Sequence, residues 1–468
     1  MGQQNLVLRR IARYSARLSM LPASSSEILN HAGGSKAQVI EDGKPALRGG
    51  LSKCLPLCWV CVILFLFILE PLPGGTPSTS DGAPVNTSSQ IKSARPFVVF
   101  PITKWYPTRP KAEAATGVIT LVLMIALPCG TAAGLRIFFK KTKALGRPPG
   151  WGRLAIGNAL VLVFLLSVML LAGETVFRFF VDTTDSLGFT KICERWVARH
   201  WRTNTAGCRD NIEYAPWIQP GKRRLTFVGD SFTAGHGIKD VEARFANRLR
   251  AAHPDWEVHV LANVGLDTGA EINVLKKAFF RGYQLDEVVL VYCLNDVGDL
   301  LLAPGEPLEH RLPSVEQIGP WFTRGSYFLD LYYNRYKAAQ NPYVKDYFSF
   351  VKDGYRGRYW EAQKARLKEF RDLVQSHGGH LSVVTFPFLH ALGPHYDYLF
   401  VHEELSRVWK ELNVPQLDLL PVYAGLSPRE VTVNAHDAHP NERAHRLAAD
   451  AIDLSLWPVF TNHVRGGE

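Results

Sequence analysis

The sequence is poor in the residues that build metal and redox centres. Seven cysteines are spread over 468 residues, with no pair of Cys-x-x-Cys motifs and no His-Glu-x-x-His site, so no metal ligand set is expected. Cys54, Cys58, Cys61 and Cys129 lie in or beside apolar runs, where cysteine acts as a small apolar side chain. Cys193 and Cys208 could pair if their segment meets an oxidising compartment, and the sequence leaves either state open. No internal repeat is visible.

Acidic residues are scarce in the first third of the chain. Residues 1 to 153 hold 19 Lys and Arg against 6 Asp and Glu, while the remainder holds 34 against 37. The positive excess therefore shares its segment with the longest apolar runs, which indicates membrane topology and argues against nucleic-acid binding. Gly117 to Leu135 and Leu154 to Gly173 are uncharged runs close to the ~20 residues needed to cross a bilayer core. Cys54 to Leu69 is shorter and is read as a third span, an interfacial segment or a signal-like region. Between the two longer runs lies a loop with Arg136, Lys140, Lys141, Lys143, Arg147 and Arg153 and no acid, which belongs on the cytoplasmic side. The chain after Glu174 is then extracytoplasmic.

These boundaries divide the chain into a basic, disordered cytoplasmic tail (1–53) and a membrane region of two or three helices (54–173). A membrane-proximal collar (174–222) and a globular domain (223–468) follow. In the globular domain short β-branched runs alternate with amphipathic stretches, the pattern of a parallel sheet covered by helices on both faces. Strands are predicted at Leu225 to Gly229, Val258 to Val264, Glu287 to Cys293, Leu381 to Phe386 and Gln416 to Leu420. The segment 300–359 is far longer than an ordinary connection and carries 14 aromatic residues between Trp321 and Trp360. It is read as an inserted helical subdomain with its own small aromatic core, which could also serve as a lid.

Ligands of open α/β sheets collect beyond the carboxyl ends of the strands. Gly229-Asp230-Ser231 follows the first strand, Asn263-Val264-Gly265 the second and Leu294-Asn295-Asp296 the third, and His436-Asp437-Ala438-His439-Pro440 precedes the last helix. Taken singly, each is an ordinary turn or cap. Taken together, they supply acyl transfer: Ser231 as nucleophile, His439 as proton acceptor and donor, and Asp437 to orient the imidazole. The Ser231 and Gly265 amides and the Asn295 side chain are the oxyanion donors. The same turn would make Ser231 the cap of its helix.

Here the chain resembles the SGNH, or GDSL-type, hydrolases, on "VGDSFTAG" for Ser231, "NVGLDTGAE" for Gly265, "YCLND" for Asn295 and "DAHPNERAH" for His439. The resemblance covers about Arg223 to Trp457. It implies a three-layer α/β/α flavodoxin-like fold and a serine esterase that uses no metal and no cofactor. Cys293 stands where that family commonly has glycine, His436 stands where it commonly has the aspartate, and Gly269 offers an alternative to Gly265. The expected partner is an ester, on an acylated glycan, a lipid or a small molecule. Transfer of an acyl group to another alcohol, and a non-catalytic envelope binding module, are the alternatives.

Overall fold

The computed structural model describes residues 97–100, 112–188, 190–301 and 321–465. The basic tail, the run Cys54 to Leu69 and the first part of the long insertion lie outside them. α1 (Ala112–Lys143) and α2 (Trp151–Thr175) pack against each other, and α2 runs on through a π-helical turn, Val176–Phe180. Both are longer than the apolar runs they contain, because helix continues into their polar ends. They are long and apolar enough to cross a membrane, and only 6% and 11% of their most apolar stretches is buried. They are therefore not core helices of the globular domain. Leu123, Leu127, Leu162 and Leu165 all face outward.

The carbonyls left open at the end of α2 and its π-helical turn are satisfied by α3 (Lys191–His200). Arg195 donates to the carbonyls of Phe177 (3.1 Å), Arg178 and Val181. This fixes the direction in which the chain leaves the helix.

The globular domain is a five-stranded parallel sheet in the order β2-β1-β3-β4-β5, the flavodoxin-like arrangement. β1 (Arg223–Gly229) leads into the short α4 (Ser231–Ala234) and then α5 (Phe245–Ala252). β2 (Trp256–Ala262) is followed by α6 (Thr268–Phe280), and β3 (Glu287–Cys293) by the insertion, which includes α7 (Tyr327–Gln340). α8 (Gly357–Ser376), β4 (His380–Phe386), α9 (Leu399–Glu411) and β5 (Gln416–Asp418) complete the alternation. The antiparallel pair β6 (Thr432–Asn434) and β7 (Asp437–Pro440), then α10 (Glu442–Ser455) and α11 (Trp457–Arg465), close the domain. α5 packs with α10, and α6 with α8. β3 is buried at every residue, as a strand covered on both faces must be.

Strand ends differ from the sequence reading where side chains stop the ladder. β2 ends at Ala262, two residues earlier than expected, because the Asn263 side chain turns back to accept from the Val264 N–H at 2.8 Å. β5 ends at Asp418, whose carboxylate accepts from the Leu420 N–H at 2.9 Å and opens the helical turn Leu420–Tyr423.

Part of the insertion's aromatic set joins the main core among the described residues. Val351 and Tyr355 belong to the main core, and Tyr347, Phe348 and Phe350 pack against it. The Tyr355 hydroxyl donates to the Leu294 carbonyl at 2.7 Å, at the end of β3. The other end of the insertion sits on α2. Glu174 is fully buried and accepts from the Ser326 hydroxyl (2.6 Å) and the Phe328 N–H (3.0 Å), capping α7. A Cβ on Gly173 would lie 2.5 Å from the Phe328 ring, so only glycine allows this approach.

Between the collar and the domain lies a buried ion network. Asp210 accepts from Arg244 (2.9 Å), Arg250 (2.6 Å) and the Tyr214 hydroxyl (2.5 Å). Burial alone would raise the Asp210 carboxyl, but the two guanidiniums hold it well below the usual carboxylate range. Arg244→Met should destabilise the fold by about 3–5 kcal/mol by stripping a partner from a buried charge. Chemical denaturation of the full chain in detergent checks this.

Candidate active site

Parallel strands all end on one side of the sheet, and the strand order places the turn after β1 between those after β2 and β3. Ser231, Gly265 and Asn295 occupy these three turns. Gly265 has φ of +70°, a backbone conformation in which a side chain is strained. Gly269 lies within α6, and a Cβ there would meet the Asp299 carboxylate at 2.9 Å. Gly265, and not Gly269, is therefore the residue on which this turn depends. The Thr268 N–H donates to the Asp296 carbonyl at 3.1 Å and ties the second turn to the third.

Ser231 does not cap its helix. Asp230 does, accepting from the Phe232 N–H at 2.8 Å, and Ser231 is the first residue of α4. An aspartate one residue earlier has the reach to accept from the first turn, which leaves the Ser231 hydroxyl unused by the backbone. The chain reverses at Gly235, with φ of +77°.

β7 brings the histidine across. His439 Nε2 accepts from the Ser231 hydroxyl at 2.8 Å, and His439 Nδ1 donates to Asp437 Oδ1 at 2.5 Å. Asp437 and His439 are two residues apart on a strand, so their side chains project from the same face. His436 instead points away and is exposed, its own N–H bound to the Asn434 side chain at 2.7 Å. Asp437 is therefore the acid that meets the imidazole.

Burial alone would raise the Asp437 carboxyl, but the His439 charge and hydrogen bond hold it well below the usual carboxylate range. Burial disfavours the His439 imidazolium, and the Asp437 carboxylate more than reverses this, leaving the imidazole raised above its ordinary 6.5. Behind the turns the environment is different. Burial pushes Asp230 up to about 6, and burial with mutual repulsion pushes Glu271 and Asp296 well above the usual range. Neither Glu271 carboxyl oxygen has a hydrogen-bond partner among the described residues, so nothing there offsets the cost of burying its charge. Burial also pushes the Cys293 thiol well up, which suits an inert strand-end residue in a place where glycine was the expectation.

Three residues of this neighbourhood are not apparent from sequence. Thr184 and Ser186 come from the strap that leaves α2: the Thr184 hydroxyl donates to Asp437 Oδ2, and the Ser186 hydroxyl lies 3.5 Å from Oδ1. Ser186 also accepts from the Ala438 N–H at 2.9 Å. The collar, to which the sequence assigns no role, thus reaches the acid. His236 is buried with Nε2 3.6 Å from Asp437 Oδ2, and its Nε2–H donates to the Asp185 carbonyl at 3.3 Å. Burial and the neighbouring His439 push it down to about 4, so it is neutral near pH 7. His236 was legible as a histidine within "GDSFTAGHG", but its contact was not. Cys193 and Cys208 are both buried free thiols, not a disulfide.

No family model and no curated protein matches the chain. Among solved structures it is similar to the esterase EstA from Pseudoalteromonas sp., at 13% identity over 51% of this chain and 100% of that one, with a TM-score of 0.32. A member of the lipolytic G-D-S-L family from Veillonella parvula is 14% identical over 49% and 96%, with a TM-score of 0.31. The acetylxylan esterase Axe2 from Geobacillus stearothermophilus is 12% identical over 51% and 96%, also with a TM-score of 0.31. Likenesses at this level say nothing of activity.

Proposed function

We propose that the chain is a membrane-anchored serine ester hydrolase of SGNH/GDSL type, with its catalytic domain on the extracytoplasmic side. The observation that carries this reading is the unbroken hydrogen-bond path Ser231–His439–Asp437, 2.8 and 2.5 Å long, at the carboxyl end of a parallel sheet. A serine hydroxyl is a weak nucleophile until a base removes its proton, and an imidazole whose Nδ1–H is held by a carboxylate presents Nε2 for that purpose.

In the reaction, Ser231 Oγ attacks the ester carbonyl as its proton passes to His439 Nε2. The Ser231 and Gly265 amides and the Asn295 side chain receive the oxyanion. The imidazolium then protonates the leaving alcohol. Water, activated by the same imidazole, attacks the acyl-enzyme and releases the acid and the free serine.

Asn295→Ala should lower kcat by about 10²- to 10³-fold with little change in KM, because a donor to a developing charge acts mainly in the transition state. Steady-state kinetics on acetyl and longer-chain aryl esters would read this. A panel of O-acetylated sugars and acyl lipids, scored for released acid, tests the substrate class. Acyl groups recovered on an added alcohol, with no acid released, would point to transfer and against hydrolysis.

A further inference from the structure

The chain between α2 and the catalytic domain forms one side of an open hollow of about 370 Å³. Arg199 and His200 of α3, Arg202 and Arg209 from the segment after it, and Lys239 and Asp240 from the loop after α4 line it. Arg209 is buried, its guanidinium donating to the carbonyls of Gly235 and of Ile238 (2.6 Å). The cationic ends of Arg199, Arg202 and Lys239 belong to exposed residues.

The anions nearby do not balance these cations. Asp182 is shared between His200 (2.8 Å), Lys239 (3.2 Å) and Arg199 (3.5 Å). The Asp240 carboxylate accepts from the Glu242 N–H at 3.0 Å. Arg202 has no carboxylate partner among the described residues. Four permanent cations thus face three nearby carboxylates, Asp182, Asp240 and Glu242, the last bonded to the lining Asn211 at 3.0 Å, and guanidinium forks match the geometry of phosphate oxygens.

The cavity's place decides the source of that phosphate. Asp182, ion-paired to three of the cavity's lining residues, lies two residues past Phe180, the last residue of the long apolar helix. Two residues reach at most about 7 Å. Lys and Arg held at that level meet the headgroups of a bilayer through which α2 passes.

We propose that this cavity binds the phosphate headgroup of an anionic amphiphile in the leaflet from which α2 emerges, with Arg199, Arg202 and Lys239 on the phosphate and Arg209 as the floor. This rests on α1 and α2 spanning the membrane and is independent of the esterase reading.

The test uses the full chain in neutral detergent, titrated calorimetrically with dioctanoyl phosphatidylglycerol, dioctanoyl phosphatidylcholine and inorganic phosphate. Saturable binding of the phosphatidylglycerol, with the phosphatidylcholine at least about tenfold weaker, is expected. Arg199→Gln/Arg202→Gln/Lys239→Gln should weaken it by more than about tenfold at an unchanged unfolding midpoint, and Asp240→Asn should strengthen it. Equal binding of the two lipids, or an unaffected triple variant, overturns the proposal. Inorganic phosphate binding as tightly as the phosphatidylglycerol assigns the site to the free anion and overturns the lipid source. Should the triple variant fail to fold, Asp240→Asn decides alone, because unchanged affinity there rejects the site.

Discussion

Ser231→Ala is expected to lower kcat for ester hydrolysis by about 10⁶-fold, to a residual rate supported only by binding and the oxyanion donors. The size of the effect follows from the geometry. His439 Nε2 is 2.8 Å from the Ser231 hydroxyl, its only side-chain hydroxyl partner among the described residues. Thr233, on the same short helix, is fully buried against Gly229, where an added Cβ would collide with its hydroxyl. Stability should be almost unchanged, because Asp230, and not Ser231, caps α4. A variant that is inactive yet unfolds like the parent separates chemistry from folding. Kinetics on an aryl ester and a thermal melt provide the two readouts.

Asp437→Asn should lower kcat by about 10⁴-fold, because a side-chain amide can present N–H to Nδ1 and turn the imidazole into the wrong tautomer. Its pH profile distinguishes loss of orientation from collapse of the site. His439 accepts a proton only when neutral, and its folded pKa is raised above the ordinary 6.5 by Asp437. Activity of the parent should therefore fall as pH drops through a value above 6.5, giving kcat/KM an acid limb on the high side for histidine. Asp437→Asn removes the raising charge and leaves the burial, which lowers, so its residual activity should keep to lower pH. Thr184→Val should leave this limb at or above the parent's position, since it removes a hydrogen bond that lowers the acid and keeps the charge that raises His439. His236 contributes no limb of its own near neutrality, because burial holds it at about 4.

The sheet was legible because a strand buried on both faces must be apolar along its whole length. "VVLVYC" from Val288 to Cys293 is such a run, and the expected limits, Glu287 to Cys293, agree residue for residue with β3. Ser231, Gly265 and Asn295 were legible by type and by position at strand ends, which a parallel topology gathers without further information, and His439 by type, its place depending on the antiparallel β7. Asp437 was expected as the acid although His436 holds the family's usual position, and the physical reason came only with β7 seen as a strand, whose periodicity puts Asp437 and His439 on one face. What stayed hidden depends on contacts across long stretches of chain. Thr184 and Asp437 are 253 residues apart, and nothing local to a polar Thr-Thr-Asp-Ser run marks it as a clamp on a distant carboxylate. The insertion's packing stayed hidden for a related reason. Fourteen aromatics suggest a core, but composition does not say whose, and Tyr355 and Phe348 proved to pack into the main one.

The account stands on an activated Ser231, and covalent labelling of the full chain by a fluorophosphonate probe tests that most directly, with Ser231→Ala and His439→Ala run beside the parent. The parent should be labelled, more slowly as pH falls below the His439 pKa, and neither variant should be labelled at all. A folded parent that resists the probe, or a Ser231→Ala variant labelled as fast as the parent, would contradict the account.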